Sequence, residues 1–461
     1  MIDEPLQKIN TEWYRKKMDD RVFCLYNPLS FDVIFTREQE KEHDSISQSI
    51  EVDSSMLRRR QKGMLQRTIN TLYIIPTFRC NNACGYCDLR NIPSHVVQKD
   101  MTEGTLCESL NRFFKLSEKQ SEKEIVIFGG EPLLDSDIMM NIIRSIREDH
   151  DSRANITIFT NAMLMTKDIA SYFAERDVFV ITSIDGMREN HDAARKDING
   201  RGTFDRAAKG YFLARDAGCK VGISMQVGKH NVRNLHDTVL AMYDFFRPME
   251  FGIGCNFHNF KGERNPYQLD AMSAMPAILD IYDNLKEMGI YVEQVVRRVR
   301  PFVERNFKGK DCTACGRKIV AIPDGRLGLC EYLAYEGLTY QPIETFSLET
   351  DDYNTFNSLS PLLKKDCLNC PAISICGGGC AYNARFDTGS IHGLDIENCR
   401  QTIIILDWML EKMFQVCRDE IERNGRHLLQ DEERKKLVGK INLDDKRRPL
   451  NLVSRVGEID D

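Results

Sequence analysis

The 461-residue sequence has no apolar run long enough to cross a bilayer, since a spanning helix needs about 20 predominantly apolar residues. Its first eight residues, Met1 to Lys8, are charged and carry no apolar signal-peptide core. Neither charge sign is in large excess. Lys and Arg number 63, Asp and Glu 69, and the net charge is −6, which removes any global electrostatic case for a nucleic-acid partner. Internal repeats and low-complexity tracts are also missing. What remains is an ordinary globular composition, 42% hydrophobic and 29% charged, long enough for about two to four domains and expected in the cytoplasm.

Against this plain background the 16 cysteines need a reason. The cytosol keeps thiols reduced, so a disulfide framework is not that reason. Eleven fall into three tight groups: Cys80, Cys84 and Cys87; Cys312, Cys315 and Cys330; and Cys367, Cys370, Cys376, Cys380 and Cys399. Cys24, Cys107, Cys219, Cys255 and Cys417 are scattered, and each reads as a small buried apolar residue.

The first group organises the chain. An apolar run from Leu72 to Phe78 reads as a buried strand, and the cysteines follow in the loop at its carboxyl end, spaced C-x3-C-x2-C. Clustered thiolates suit an iron–sulfur cluster or zinc. Three are one short of the four that complete a cluster, which leaves one iron open to a small molecule. On the triplet alone, a zinc knuckle or three buried thiols stay open as readings.

Residues 71–295 alternate strands with helical patterns. The strands are expected at 72–77, 125–129, 156–160, 178–184, 221–227 and 250–254, and the helices at 103–117, 137–148, 167–176, 204–217, 235–247 and 273–288. Strict alternation builds a parallel sheet with right-handed crossovers, whose chemistry gathers at the carboxyl ends of the strands. Polar motifs sit at those ends. Gly129 and Gly130 let a ligand approach the backbone, and Glu131 beside them offers an acceptor for an ammonium group. Thr160-Asn161-Ala162 ends the third strand and Ser183-Ile184-Asp185 the fourth, with His191 and Arg195 shortly after. Gln226 and Asn256 are expected at the mouth. Cys255 and His258 are too few to make a metal site.

Taken together, these motifs resemble the radical S-adenosylmethionine (SAM) enzymes. The triplet with Tyr86 before its last cysteine is similar to the family's cluster loop. Gly129-Gly130-Glu131-Pro132 is similar to its Gly-Gly-Glu-Pro motif, which binds the SAM amino group. Thr160-Asn161-Ala162 is similar to Thr-Asn-Gly, with alanine for glycine. The resemblance implies an α/β fold, a partial (β/α)6 barrel. It implies a [4Fe-4S] cluster on Cys80, Cys84 and Cys87 whose open iron chelates SAM, and a 5′-deoxyadenosyl radical that takes hydrogen from a substrate. Tyr86, Gly129, Gly130, Glu131, Asn161 and Ser183 become SAM-contact candidates. Asp185 and Arg195 join them, with a loop-holding salt bridge as their alternative role. His191 reads as a structural hydrogen-bonding histidine.

The later cysteines resemble the SPASM domain that extends some of these enzymes. C-x2-C pairs alone would equally suit two structural zinc sites. The family pattern is interleaved. It puts Cys312, Cys315, Cys330 and Cys380 on one auxiliary [4Fe-4S] cluster and Cys367, Cys370, Cys376 and Cys399 on a second, making three clusters in all. Gly377-Gly378-Gly379 lets the backbone wrap closely there. Glu331, directly after Cys330, stands where related sulfatase-maturing enzymes carry an acidic residue thought to take a proton from the substrate. A capping or surface role is its alternative.

The domains expected are an N-terminal extension at 1–70, a barrel at 71–300, a SPASM domain at 311–400 and a C-terminal helix with a charged tail at 401–461. In the extension, two short strands flank the Asn27-Pro28 turn, and the basic run at Arg58, Arg59, Arg60 and Lys62 reads as a solvated face. Some peptide-modifying members carry a leader-peptide-binding domain at this place. The resemblance therefore implies a peptide maturase whose partners are a precursor peptide and a flavodoxin- or ferredoxin-like electron donor, and whose product is a thioether or carbon–carbon cross-link. The alternatives are formylglycine formation in a sulfatase, dehydrogenation of a small molecule and, outside enzymes, a zinc-binding scaffold.

Overall fold

The computed structural model describes residues 7–8, 13–37, 68–87, 99–255, 265–336 and 339–440. Of the residues singled out above, the 58–62 basic run, Asn256 and His258 lie outside this set.

β1 (Gln7–Lys8), β2 (Tyr14–Lys17), β3 (Phe23–Tyr26) and β4 (Val33–Thr36) form an antiparallel sheet. The turn between β3 and β4 is built by Asn27, whose Oδ1 accepts the backbone N–H groups of Leu29 and Ser30 at 2.9 and 3.2 Å, the usual way asparagine closes a turn. The sequence pattern expected two strands here. β2 escaped it because Tyr14-Arg-Lys-Lys17 alternates too weakly to mark a buried face.

Six apolar runs make the body: β5 (Thr71–Ile74), β6 (Glu124–Ile127), β7 (Asn155–Thr160), β8 (Val178–Ser183), β9 (Lys220–Val227) and β10 (Glu250–Cys255). Each pairs in parallel with the next. β6 is buried at all four positions, as expected of a parallel strand covered on both faces. Helices Glu103–Leu116, Ser136–Ser145, Lys167–Glu175, Phe204–Asp216, Leu235–Phe246 and Ala271–Leu285 supply the crossovers.

The sheet continues past the alternating region on both sides. β11 (Tyr291–Val292) pairs in parallel with β10, and β12 (Lys318–Ile322) pairs in parallel with β5. β13 (Arg326–Gly328) and β14 (Gln341–Pro342) then add antiparallel strands outside β12. The result is one sheet of ten strands, ordered β11-β10-β9-β8-β7-β6-β5-β12-β13-β14. The second cysteine region is thereby tied to the strand that carries the first.

The C-terminal helix, Ile396–Asn424, starts five residues before the periodicity suggests, because Asp395 caps it by accepting the N–H of Asn398. It packs on the Ala271–Leu285 helix, with Trp408 edge-on to Tyr282 at 5.6 Å, and ends at Gly425 in the left-handed region. β15 (Arg426–Leu428) follows and pairs with β4, putting His427 opposite Phe35. Part of the stretch expected as a charged tail is thus the fifth strand of the N-terminal sheet. No helix among the described residues is long and apolar enough to cross a membrane.

Cys24, Cys219, Cys255 and Cys417 are buried, but Cys107 is exposed. It lies on the solvent face of the Glu103–Leu116 helix, whose buried stripe is Leu106, Ser109, Leu110 and Phe113, so the core reading fails for this one cysteine.

Ala162 adopts φ 58°, where an L-residue with a Cβ pays about 1–2 kcal/mol and glycine does not. Alanine here is small enough, but conformationally costly. The substitution Ala162→Gly is expected to raise the unfolding free energy by about 0.5–1 kcal/mol after glycine's own entropy cost. Equilibrium denaturation of the two proteins checks this, and an unchanged or lower value rejects it.

Candidate active site at the strand ends

β5 ends five residues before Arg79, and the chain turns there into the cysteine loop. Two backbone bonds bind the loop to the segment after β8: Ala83 N–H to the Lys196 carbonyl at 2.7 Å and Gly85 N–H to the Ala194 carbonyl at 2.9 Å. The Gly129-Gly130-Glu131 stretch closes against its other side. Gly130 N–H donates to the Thr77 carbonyl at 3.0 Å and Glu131 N–H to the Arg79 carbonyl at 2.8 Å. Gly129 has φ +145°, and a Cβ on Gly130 would run into the Arg79 carbonyl. Glycine is required at both positions for the loop to sit this close.

Cys84 is buried, and Cys80 and Cys87 are half-buried. Burial, followed by the charges of Glu131, Cys84 and Cys87, pushes the Cys80 thiol up to about 12, although the Asn82 N–H at 3.4 Å from its sulfur favours the thiolate. Thiols so placed give up their protons to a metal rather than to water.

Glu131 is 1% exposed and acts as a hub. Its Oε1 accepts from Thr160 Oγ1 at 2.6 Å and from Leu133 N–H at 3.0 Å, and its Oε2 accepts from Asn161 N–H at 2.8 Å. A carboxylate has about four acceptor positions, so one stays open on Oε2. Asn161 extends the link, donating Nδ2 to Asn81 Oδ1 at 2.7 Å. One carboxylate thus joins the ends of β6 and β7 to the cysteine loop.

Asp185 is fully buried. Its Oδ2 takes Arg195 Nε at 2.7 Å and the Tyr86 hydroxyl, and its Oδ1 takes Gln226 N–H at 2.9 Å. Burial works against its charge, but Arg195, then His230, His191 and the Tyr86 hydrogen bond outweigh it and hold the carboxyl below the usual range. Arg195 Nη1 lies 4.0 Å from Cys84 Sγ. Of the two roles open to Asp185 and Arg195, the geometry supports holding the loop. His191 bridges Asp185 N–H at 3.3 Å and Thr203 Oγ1 at 3.0 Å, a structural histidine. Ser183 ends β8 with its side chain half-buried, in register with Ser224.

His230 has no signal in the sequence. It lies in the turn after β9, stacked on Tyr86 at 5.9 Å and edge-on to Tyr267 at 5.4 Å. Neither of its buried ring nitrogens makes a hydrogen bond. Only the three-dimensional pairing with Tyr86 marks it.

All sixteen cysteines are free thiols, and the eight of the second region gather in two sets. Cys315 and Cys380 each feel the charges of Cys312 and Cys330, while Cys370 and Cys399 feel those of Cys367 and Cys376. Cys376 and Cys380 are four residues apart yet belong to different sets. Gly377, Gly378 and Gly379 all take positive φ, 75°, 92° and 78°, and turn the chain between them. Among the described residues, no three cysteine sulfurs lie within 4.8 Å of one another. The donor sets are soft and thiol-only, a chemistry that suits iron–sulfur clusters as well as zinc.

A cavity of about 340 Å³ lies between the carboxyl ends of β9 and β10 and the second cysteine region. Gln226 and Cys255 line it from the ends of β9 and β10, and Lys318, Glu331, Cys312 and Cys380 from the cysteine-rich side. Glu331 Oε2 is 2.5 Å from Lys318 Nζ, which sits over the Tyr73 ring at 4.3 Å. Glu331 therefore faces the cavity as half of an ion pair rather than as a surface cap.

Two expectations follow. Asp185 has a depressed carboxyl, so its contribution to stability is complete above the unfolded value near about 4 and is lost as pH falls through the lower folded value. Urea unfolding at stepped pH should show an acid-side loss that is smaller in Asp185→Asn, and equal slopes would refute the pairing. Removing the partner with Arg195→Met leaves a buried uncompensated carboxylate and should cost about 3–5 kcal/mol at pH 7. A cost below about 1 kcal/mol in the same titration would show that the pair is exposed to solvent.

A model of the radical SAM superfamily matches residues 74–241, the stretch that carries the triplet, the Gly-Gly-Glu-Pro turn and the Asp185 network. The chain is 23% identical over 327 residues to a cysteine-type anaerobic sulfatase-maturating enzyme of Clostridium perfringens, covering 65% of this chain and 85% of that one. It is 20% identical over 375 residues to the radical SAM cyclopropyl synthase TigE of Paramaledivibacter caminithermalis, covering 77% of each. In fold it is similar to Streptococcus suis SuiB solved with S-adenosylmethionine, with TM-score 0.57, 16% identity and coverage of 85% of this chain and 100% of that one. SuiB with precursor peptide SuiA gives TM-score 0.53 at 16% identity over 85% and 99%. Residues 74–241, built around the three-cysteine loop, thus carry a radical SAM domain, and the two relatives matched over 65% and 77% of this chain are named as enzymes.

Proposed function

We propose that this enzyme is a maturase of ribosomally made peptides that joins two side chains by a thioether or carbon–carbon bond. The observation that carries the reading is the cavity from Gln226 to the Lys318–Glu331 pair, which offers a peptide side chain one site between the strand ends and the cysteine-rich region. Peptide and protein substrates are in keeping with the sulfatase-maturating relative and with SuiB, solved with a precursor peptide.

In this reading Cys80, Cys84 and Cys87 hold the SAM-binding [4Fe-4S] cluster. Gly129, Gly130, Glu131, Asn161 and Ser183 border the SAM position, and Tyr86, Asp185 and Arg195 fix the loop. Cys312, Cys315, Cys330 and Cys380 hold one further cluster, and Cys367, Cys370, Cys376 and Cys399 another. When bound, these groups supply a 5′-deoxyadenosyl radical that takes hydrogen from an unactivated carbon and an acceptor for the electron released afterwards. Glu331 takes the substrate's proton at its carboxylate, aimed by Lys318 until the substrate arrives. Lys318 is kept charged by Glu331 despite burial, well above the usual lysine range. A flavodoxin- or ferredoxin-like protein provides the reducing electron, and the N-terminal extension grips the leader of the peptide.

A second reading, formylglycine formation in a sulfatase, draws on the position of Glu331 directly after Cys330 and on the sulfatase-maturating relative. Both readings need the same base and differ in substrate.

Protein reconstituted without oxygen should hold about twelve irons, falling to about eight in the Cys80→Ala, Cys84→Ala, Cys87→Ala triple variant with loss of 5′-deoxyadenosine formation. Zinc in place of iron would remove the radical mechanism. Glu331→Gln should still form 5′-deoxyadenosine but lose product about 100-fold or more. Mass spectrometry of precursor peptides against cysteine-containing sulfatase peptides assigns the substrate. Loss of a pair of hydrogens from a precursor supports the cross-link, and conversion of the sulfatase cysteine to an aldehyde transfers the assignment to the second reading.

A further inference from the structure

Beyond the last grouped cysteine, Cys399, and starting on the same helix, Cys417, His427 and Glu433 converge. Their ligand atoms, one sulfur, one ring nitrogen and one carboxylate oxygen, all lie within 4.8 Å of one another. Each comes from a different element. Cys417 is on the long C-terminal helix, His427 is in β15, and Glu433 is in the short helix Asp431–Lys435. His427 Nε2 is 3.0 and 2.9 Å from the two Glu433 oxygens, and the Cys417 thiol hydrogen-bonds the same carboxylate.

We propose that these three side chains form a zinc site, separate from the cysteine sets of the radical SAM machinery. Four features of the structure support this. First, the donors suit the ion: thiolate, imidazole and carboxylate are the three ligand types that zinc takes. Second, the charges close. A dication with one thiolate, one carboxylate and a neutral imidazole is neutral overall, which a buried position favours. Cys417 is 0% exposed. Third, the carboxylate is held ready from outside. Glu433 Oε2 accepts the Gln430 backbone N–H at 2.8 Å in a capping box, which sets the side chain's direction and leaves Oε1 for the metal, as supporting hydrogen bonds commonly do around zinc. Fourth, the frame is rigid. His427 is fixed by pairing with Phe35 in β4. The short helix is pinned by Arg434, 0% exposed, which donates to the Phe31 carbonyl at 2.6 Å.

Binding displaces the Cys417 thiol proton to solvent and moves the His427 ring proton to Nδ1, so that Nε2 is free to ligate. No electron changes hands. Three protein ligands leave the fourth tetrahedral position to water. The site is remote in sequence from the reactive cysteine loop, and its role is to clamp. It locks the turn after the long helix onto the N-terminal sheet and so joins the two ends of the chain.

The test uses the full-length enzyme with its iron–sulfur clusters loaded without oxygen, exposed to zinc sulfate and passed over a chelating resin. Zinc and iron are then counted in wild type, Cys417→Ser, His427→Gln and Glu433→Gln. About one zinc per chain is expected in wild type, falling at least tenfold in every variant while iron stays constant. X-ray absorption at the zinc edge should show one sulfur with nitrogen and oxygen neighbours. His427 and Glu433 are partly exposed, so their variants stand even if Cys417→Ser fails to fold. The proposal is overturned if wild type retains no zinc, which would leave the three groups as a hydrogen-bonded cluster. Zinc retained equally by His427→Gln and Glu433→Gln, or a shell of sulfur alone, also overturns it.

Discussion

The parallel register of β5 to β10 is the constraint on which the rest depends. Thr71 is opposite Glu124, Glu124 opposite Asn155, and Ile156 opposite Val178, so every strand points the same way and every carboxyl end opens on one rim. A cysteine loop, a glycine turn, an asparagine and an aspartate that are up to 105 residues apart between Cys80 and Asp185 become neighbours because the sheet delivers them there. Two buried carboxylates then set their positions. Glu131 spends hydrogen bonds on the ends of β6 and β7, and Asp185 spends an ion pair and a hydrogen bond on Arg195 and Tyr86. Every oxygen of the two carboxylates accepts at least one hydrogen bond, which offsets part of the cost of burying them.

The same sheet couples the two cysteine regions. β12 lies beside β5 in parallel, so the cysteines that flank β12 and β13 are anchored to the strand that leads into the first loop. Lys318 opens β12 and reaches both Glu331 and the face of Tyr73 on β5. The cavity between the strand ends and the second cysteine region is therefore a product of strand order, with its acid and its cation placed by adjacent strands. A chain with the same cysteines on a separate module would have no such shared wall.

Much of the barrel was legible because its signals are local. Continuous apolar runs of four to eight residues separated by helical periodicity mark buried parallel strands, and the six expected strands and six crossover helices appear within a few residues of their expected bounds. The misses have physical causes. Ser136–Ser145 ends early in a π-turn at Ile146–His150. β2 is polar, and β11 and β14 are two residues long, too short to leave a period. Cys107 reads like the other scattered cysteines, and only the orientation of its helix exposes it.

By itself the sequence determined the chemistry on offer: a loop with three soft ligands after a buried strand, two glycines where backbone must approach backbone, and eight more thiols downstream. These follow from residue type and short spacing, which do not need a fold to be read. Tertiary structure alone decided the partnerships. It sent Cys380 away from Cys376 through three left-handed glycines, stacked His230 on Tyr86, paired Glu331 with Lys318 and laid β15 against β4, drawing Cys417, His427 and Glu433 together. Each is a contact between segments whose local sequence is indifferent to it, and its free energy exists only once the chain has closed the loop between them.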